Sequence, residues 1–404
     1  MSKPFHADHA QTVIVGAGIV GSALALHLAR MGQRDILVLD RGSLNAPAGS
    51  TGHAPGLLGR NAASASLSAM ACETASLLAE LPTGTPALTR VGSIEIARDR
   101  TRLGEIERKF HVATERGLRA RLMTSEEVVE RVPYLNPDVI AAGLFLPDDG
   151  VLDVKRGLWA IQAEAAALGV AFRENTEVTG FERVGGHVAG VRTADTVLSC
   201  DRVVIATGIW GRFLLDTLDV ALPIVPVQHP YVTTAPVATL AGSSAEATHP
   251  FVRDVERLFY LREHGDRLGF GWFSHLPTAT DPQAMTTADM PFPSHGLLDD
   301  LEHDLVPLLG QTALEQKLNG LLSMTPDGLP LIGQVDGRPE LWVAEALWVT
   351  HAGGAGRALA ELMLGRAPWI DLEPFRLNRF SHVDVEANRQ QSLSLYNNIY
   401  AWGG

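Results

Sequence analysis

The sequence predicts an α/β + α+β fold. A Rossmann-like dinucleotide-binding domain, discontinuous in the chain, is combined with a substrate domain built on an antiparallel sheet. Three observations predict it. A strand, glycine turn, helix and strand open the chain; a second α/β block begins near Val154; short strands punctuated by proline fill the stretch from Val220 to about Gly320. At roughly 100–200 residues per domain, 404 residues make two or three units. The expected division gives 1–81, 150–219 and 321–404 to the nucleotide domain, and 82–149 and 220–320 to the substrate domain.

Thr12–Val15 is a β-branched run, Ile19–Met31 carries helical apolar spacing, and Ile36–Leu39 is a second apolar strand ending at Asp40. The small-residue segment Gly42–Ser68 has the composition of a linker, but its place after a nucleotide-binding strand argues that it packs on a ligand. Val154–Leu168 reads as a helix, and Val170–Arg173, Glu177–Arg183, His187–Thr193 and Val197–Ser199 read as short strands. Val203–Ala206 closes this block as a further strand, turning at Thr207-Gly208. In the proline-punctuated stretch, His229–Thr233, Phe259–Arg262 and Gly269–Phe273 read as strands. Turn residues at Thr325–Gly333, a strand at Leu341–Ala344 and a helix from about Gly353 to Leu364 complete the chain, and no repeat is visible.

Composition excludes several classes of function. Apolar residues make up 46% and charged residues 20%, the balance of a globular chain. Lys+Arg 33 against Asp+Glu 46 leaves a net charge of −13, with no basic footprint for nucleic acid or an anionic membrane. Two cysteines, Cys72 and Cys200, cannot make a zinc site or a disulfide framework, and no metal site is expected. No apolar run approaches roughly 18 residues, and Met1–Gln11 is polar, so a soluble, cytoplasmic protein is expected.

Gly16-x-Gly18-x-x-Gly21 lies between strand and helix. The first glycine serves the tight turn, the second the approach of a pyrophosphate, and the third the close packing of helix on strand. The helix N-terminus would face the phosphates, and Asp40 would accept from a ribose hydroxyl. A Gly-rich strand–helix turn without ligand is the alternative. The second α/β block has no second fingerprint, so one dinucleotide is expected and another segment must meet its far end. The candidate is Trp348–Gly354, where a helix N-terminus would stabilise negative charge on a reduced ring system. An ordinary glycine-started helix is the other reading.

Four segments carry a resemblance to a known family: GAGIVG at Gly16–Gly21, Gly49–Gly56 (GSTGHAPG), Thr325–Gly333 and Ala344–His351. The chain resembles the dimethylglycine oxidase, dimethylglycine dehydrogenase and sarcosine dehydrogenase group of D-amino-acid-oxidase-like FAD flavoproteins, from about Gln11 to Tyr400. The resemblance implies a Rossmann-like FAD-binding domain with FAD joined covalently to His53. An imidazole at the flavin methyl would withdraw electron density, favour hydride acceptance and prevent cofactor loss. It further implies that Ile19 and Val20 follow the phosphate turn, Asp40 and Arg41 hold the adenosine ribose, and Ser50, Thr51, Gly52 and Leu57 line the flavin. Val178 would offer backbone hydrogen bonds to adenine, Gly208 would bound the cofactor site, and Val349, Thr350, His351 and Ala352 would lie beside the ring. Any of these positions is alternatively a packing residue.

On the substrate side the resemblance implies His229 and Tyr260 as active-site residues, with His264 and His275 as rivals. The implied chemistry moves hydride from an N-methyl carbon to flavin; the resulting iminium hydrolyses to a secondary amine and formaldehyde. The amine must first lose its proton, which suits a histidine. Family members continue into a tetrahydrofolate-binding domain, whereas this sequence stops at Gly404, so a separate folate-binding or electron-acceptor protein, or release of formaldehyde, is expected. Arg60 is expected near the flavin as a determinant of substrate choice. Of the four lysines, Lys3, Lys109, Lys155 and Lys317, only Lys317 is expected within reach of the ring, against a solvated helix face. Without it, His229 or His351 would supply the positive charge that assists oxygen. Three functions follow: oxidation of an N-methylated amino acid, oxidation of another small amine or imino acid, or an FAD-binding subunit that works only with a partner.

Overall fold

The β-branched run at the start forms β1 (His9–Val15), the small-residue run after the glycine turn forms α1 (Ile19–Arg30), and β2 (Ile36–Leu39) follows. These elements belong to a computed structural model that describes residues 9–241, 245–282, 292, 304–382 and 384–402. Lys3 lies outside the described residues. The segment that reads as a linker folds into α2 (Ser50–His53), β3 (Leu57–Leu58) and the start of α3 (Ala65–Glu80). Next come β4 (Leu88–Thr89), β5 (Ser93–Ala97), α4 (Arg100–Glu115), β6 (Arg121–Met123), α5 (Ser125–Arg131), β7 (Ala142–Leu146) and β8 (Gly150–Leu152). The second α/β block holds α6 (Val154–Ala167), β9 (Ala171–Arg173), β10 (Val178–Val184), β11 (His187–Thr193), β12 (Val197–Ile205) and α7 (Gly211–Asp216). Then follow β13 (Val225–Thr234), β14 (Phe251–Asp254), β15 (Phe259–His264), β16 (Arg267–Trp272) and β17 (Leu314–Met324). The chain closes with β18 (Leu331–Val335), β19 (Arg338–Glu345), α8 (Ala352–Met363) and α9 (Val385–Tyr396).

The first sheet runs β10-β11-β12-β1-β2-β9, with β19 on β12 and β18 on β19. Its centre, β19-β12-β1-β2-β9, is parallel. The sequence reading splits β12 into Val197–Ser199 and Val203–Ala206, and the structure corrects this. One strand pairs antiparallel with β11 through Val197–Ser199, then parallel with β19 through Val203–Ile205, while β1 lies along its other edge. The polar Asp201-Arg202 marks the change of partner, not a turn.

The second sheet runs β17-β13-β16-β15-β14-β5-β7-β6. It is antiparallel except where β14 meets β5. Those two strands come from distant parts of the chain, so no hairpin dictates their direction. β3, β8 and β4 form a small third sheet.

Burial follows the layers. Helices α1, α3, α6 and α8 cover one face of the first sheet through Leu24, Leu28, Met70, Leu158 and Leu359. Each such side chain, fully buried, stabilises by roughly 1.5–3 kcal/mol. The opposite face packs Val13, Val15, Leu37, Val203 and Ile205 in one cluster with Phe181, Val188 and Val191 of β10 and β11. Among the described residues no helix is long and apolar enough to cross a membrane, and no cluster of His, Cys, Asp and Glu is arranged to hold a metal ion.

Candidate functional site

A cavity of about 830 Å³ extends from the C-terminal ends of β1, β2 and β12 to one face of the antiparallel sheet. It is large for a ligand pocket, whose range is roughly 300–1,000 Å³, and it opens where ligands bind in parallel α/β sheets. At the sheet end the turn after β1 brings Gly16 and Gly18 into its wall. Gly21 is not in the wall: a Cβ on it would lie 2.0 Å from the Gly16 carbonyl oxygen, so only glycine lets α1 sit on the turn. Helix α1 starts on Gly18 with no side-chain cap, so its first-turn amides are left to a ligand, save that of Ile19, which reaches Thr51 Oγ1 at 3.2 Å. Asp40 accepts from Ala17 N and Gly42 N, each at 2.8 Å, and still faces the cavity. The Arg41 guanidinium lies 4.0 Å over the Trp210 ring.

Midway along the cavity α2 meets β17, tied by Ser50 Oγ donating to Leu321 O at 3.0 Å. His53 stands here, half-buried in the wall. Its buried Nδ1 makes no hydrogen bond of standard geometry among the described residues. Burial first, and the Lys155 charge second, lower its proton affinity; the Gly49 carbonyl offsets them only in part. Val20, Leu57, Val178, Gly208, Val349 and Thr350 also line the cavity. A glycine cradle, an open helix N-terminus and a half-buried imidazole of lowered proton affinity in one long cavity fit an extended phosphorylated cofactor of the FAD kind.

Several expectations are corrected. Gly52 is a packing residue, because a Cβ there would lie 1.9 Å from Pro47 O. His351 and Ala352 stand outside the wall. The first-turn amides of α8 are not offered to a ligand, since Thr74 Oγ1 accepts from Gly353 N at 3.0 Å and from Gly354 N at 3.2 Å. The double glycine lets α8 press on α3; a Cβ on Gly354 would fall 2.4 Å from Met70 Cα. Arg60 is outside the cavity, its amide donating to Asp149. Lys317 is exposed on strand β17 with its ammonium 5.6 Å from the Phe292 ring, so it faces neither a helix surface nor the cavity.

At the antiparallel sheet the register builds the site. Arg253 pairs with Tyr260, Tyr260 with Gly271, and Gly271 with Tyr231 across β14, β15, β16 and β13. Side chains opposite one another share a face, and His229, two residues before Tyr231, shares it too. Gly271 leaves the hollow for tyrosine: a Cβ there would meet Tyr260 Oη at 2.2 Å. Phe273 and Tyr400 complete an aromatic wall. His229 is buried with Nε2 2.7 Å from Tyr260 Oη and Nδ1 2.7 Å from Tyr396 Oη. Burial holds its pKa down to about 3, and His351 is held to about 4 for the same reason, so neither supplies positive charge. Arg41 and Arg253 are the cavity's cationic side chains among the described residues. Arg253 has no ion pair or hydrogen bond among them; its guanidinium lies 5.1 Å from the Phe251 ring.

The rivals fall outside the wall. His264 Nε2 bonds Tyr231 Oη at 2.8 Å, and His275 Nε2 bonds Tyr396 Oη at 2.7 Å. Sequence reasoning missed Arg253, Tyr231, Tyr396 and Tyr400, whose approach depends on strand register and on α9. It also missed Glu345, buried at the end of β19, which lines the cavity and accepts from Thr207 N at 2.7 Å and Oγ1 at 3.0 Å. Its Oε2 makes no hydrogen bond of standard geometry among the described residues, and burial pushes its pKa up to about 8.

The profile of a family described as "FAD dependent oxidoreductase" (DAO) matches residues 11–362. Mitochondrial dimethylglycine dehydrogenase of Homo sapiens is 30% identical over 416 residues, covering 98% of this chain and 47% of that protein. The 4-methylaminobutanoate oxidase (formaldehyde-forming) of Paenarthrobacter nicotinovorans is 29% identical over 391 residues, covering 92% of this chain and 46% of that protein. The chain thus spans about half the length of the curated relatives it matches. L-proline dehydrogenase from P. horikoshii shares the fold, with a TM-score of 0.82 at 22% identity over 93% of this chain and 98% of that one.

Proposed function

The chain belongs to the FAD dependent oxidoreductase (DAO) family, and on that premise we propose that it oxidises the C–N bond of an N-methylated amino acid of the dimethylglycine or sarcosine kind, with oxidative N-demethylation. One observation carries the reading. Arg253, a cation with no hydrogen bond or ion pair among the described residues, stands in register with Tyr260, whose hydroxyl meets a neutral His229 within an aromatic wall.

Gly16, Gly18, the α1 N-terminus, Asp40, Arg41, Ser50, Thr51 and Val178 would hold FAD. When bound, it supplies the hydride acceptor. Arg253 would anchor the substrate carboxylate by a charge-assisted bond. Tyr231, Tyr260, Phe273 and Tyr400 would receive the methylated nitrogen, whose cationic form aromatic faces attract. Tyr260 and neutral His229 would then take the ammonium proton, leaving the lone pair from which an iminium forms as hydride departs. Water would hydrolyse that iminium to a secondary amine and formaldehyde. His53 would carry the covalent bond to FAD, a reading supported by its place in the cavity wall and by the burial that lowers its proton affinity.

Two measurements test this. Acid precipitation should leave flavin on the wild-type polypeptide and release it from His53→Ala; wild-type flavin found wholly in the supernatant sinks the covalent bond alone. Anaerobic mixing with a panel of N-methyl amino acids should bleach the flavin. If an imino acid or another small amine bleaches it faster, the substrate class changes while the reaction stands. Flavin that is reduced but not reoxidised by oxygen would mark a chain that needs an electron-accepting partner.

A further inference from the structure

We propose that Tyr260, His229, Tyr396 and His275 form a proton relay running from the substrate end of the cavity to the protein surface. The inference rests on the amine-oxidation reading for its proton donor, but its geometry is independent of that reading. Three consecutive hydrogen bonds of 2.7 Å join the four side chains: Tyr260 Oη to His229 Nε2, His229 Nδ1 to Tyr396 Oη, and Tyr396 Oη to His275 Nε2. Tyr260, His229 and Tyr396 are buried and His275 is half-exposed. The chain therefore has one end in the cavity wall and the other near solvent.

The bond directions are set from the outer end. His275 Nδ1 lies 3.0 Å from the Leu276 carbonyl, which can only accept, so Nδ1 carries the hydrogen. Burial lowers the proton affinity of both histidines, so each is a neutral ring with one donor and one acceptor. His275 Nε2 then accepts from Tyr396 O–H, Tyr396 accepts from His229 Nδ1–H, and His229 Nε2 accepts from Tyr260 O–H. Every donor points outward, and the Tyr260 oxygen is left as the acceptor in the cavity wall.

Proton transfer balances along this chain without any electron moving. The substrate N–H bond breaks as a Tyr260 O–H bond forms. The original Tyr260 proton passes to His229 Nε2, the His229 Nδ1 proton to Tyr396, and the Tyr396 proton to His275 Nε2. His275 Nδ1 releases its proton to water. The net change is one proton from ammonium to solvent, and the buried His229 ring holds no lasting charge.

Tyr231, Tyr400 and Tyr396 are the titratable groups flanking Tyr260, with the Arg253 cation opposite it on β14, and Tyr400 also flanks Tyr396. No carboxylate or guanidinium is hydrogen-bonded to the four relay side chains among the described residues. Tyr231 and His264 form a separate pair that leads to Glu246 and is not hydrogen-bonded into the relay. Tyr396 comes from the end of α9, which packs on β13 and β17, and Asn397 donates to the carbonyls of Phe273 and His275. The C-terminal segment is thus fastened where the relay needs it.

The test uses flavin-loaded protein with Tyr396→Phe and, at the half-exposed end, His275→Gln. Anaerobic flavin reduction by an N-methyl amino acid should slow by roughly 10²-fold in each, the low end of what a positioned proton-transfer group supplies. Added imidazole should restore much of the rate in His275→Gln, an effect that lost packing alone would not produce. Wild-type rates and pH profiles in both variants, or slow variants indifferent to imidazole, would overturn the relay. Selective 15N-histidine NMR supplies an arm that needs no substrate: His229 and His275 should both carry hydrogen on Nδ1. If no amine reduces the wild type, the amine reading falls and the nitrogen shifts alone decide; His229 protonated on Nε2 would refute the relay.

Discussion

Glu345→Gln should stabilise the protein at neutral pH and leave it unchanged at pH 5. Burial raises the Glu345 pKa from 4.5 to about 8, while Thr207 N–H and Oγ1–H, both donating to Oε1, and the Gly208 N–H pull it the other way. The folded state therefore binds the proton more tightly than the unfolded chain. Its contribution to stability is complete below about pH 4.5 and is lost as pH rises through about 8. Each pH unit across that window costs about 1.36 kcal/mol, so by pH 7 the acid has lost about 3 kcal/mol relative to a group that never ionises. Glutamine is such a group, and its amide oxygen still accepts from Thr207. Its amide nitrogen would replace Oε2, which makes no hydrogen bond of standard geometry among the described residues.

The assay is thermal unfolding followed by circular dichroism from pH 5 to pH 8 for both proteins. Subtracting one profile from the other removes groups common to both, such as His27 and Asp149. Parallel profiles would refute the reasoning and mean that Glu345 is ionised in the fold. A neutral acid here also has a functional sense, since it adds no negative charge to a cavity built for a phosphorylated ligand.

Two further outcomes follow from the cavity. Gly21→Ala should purify without flavin, because its Cβ would lie 2.0 Å from the Gly16 carbonyl and force α1 off the phosphate turn; wild-type flavin content would show that the turn yields. Arg253→Gln should weaken binding of carboxylate substrates by about 10–100-fold, the loss of a charge-assisted bond worth roughly 1.5–3 kcal/mol. An uncharged amine should bind the variant about as well as the wild type, and an equal loss for both would mean that Arg253 shapes the pocket without touching the carboxylate.

The two ends of the cavity were legible in the sequence to different degrees, for a physical reason. Gly16, Gly18, Gly21 and Asp40 fall within one strand–helix–strand unit, where the chain's local periodicity carries the geometry. Residues 42–68 were legible by position, though not by composition, and they do line the cavity through Ser50, Thr51 and His53. The α8 approach misled because Gly353 and Gly354 look the same in sequence whether their amides face a ligand or a helix. Thr74, which decides the matter, lies 279 residues before Gly353.

The substrate end depends on pairings that local pattern does not record. His229 and Tyr260 are found by resemblance, but what makes them a pair is the shared contact of β13 and β15 with β16, and Gly271, which leaves room for a hydroxyl. The same register places Arg253 opposite Tyr260, so the cation and the hydroxyl are fixed together; a shift of one residue in β14 would turn Arg253 to the other face. Tyr396 lies 167 residues beyond His229 and reaches it only because α9 returns across β13 and β17. The proposed substrate chemistry therefore rests on strand register and on a returning C-terminal helix. Substitutions on β14, β16 or α9 should alter amine selectivity or proton release while leaving the dinucleotide end intact.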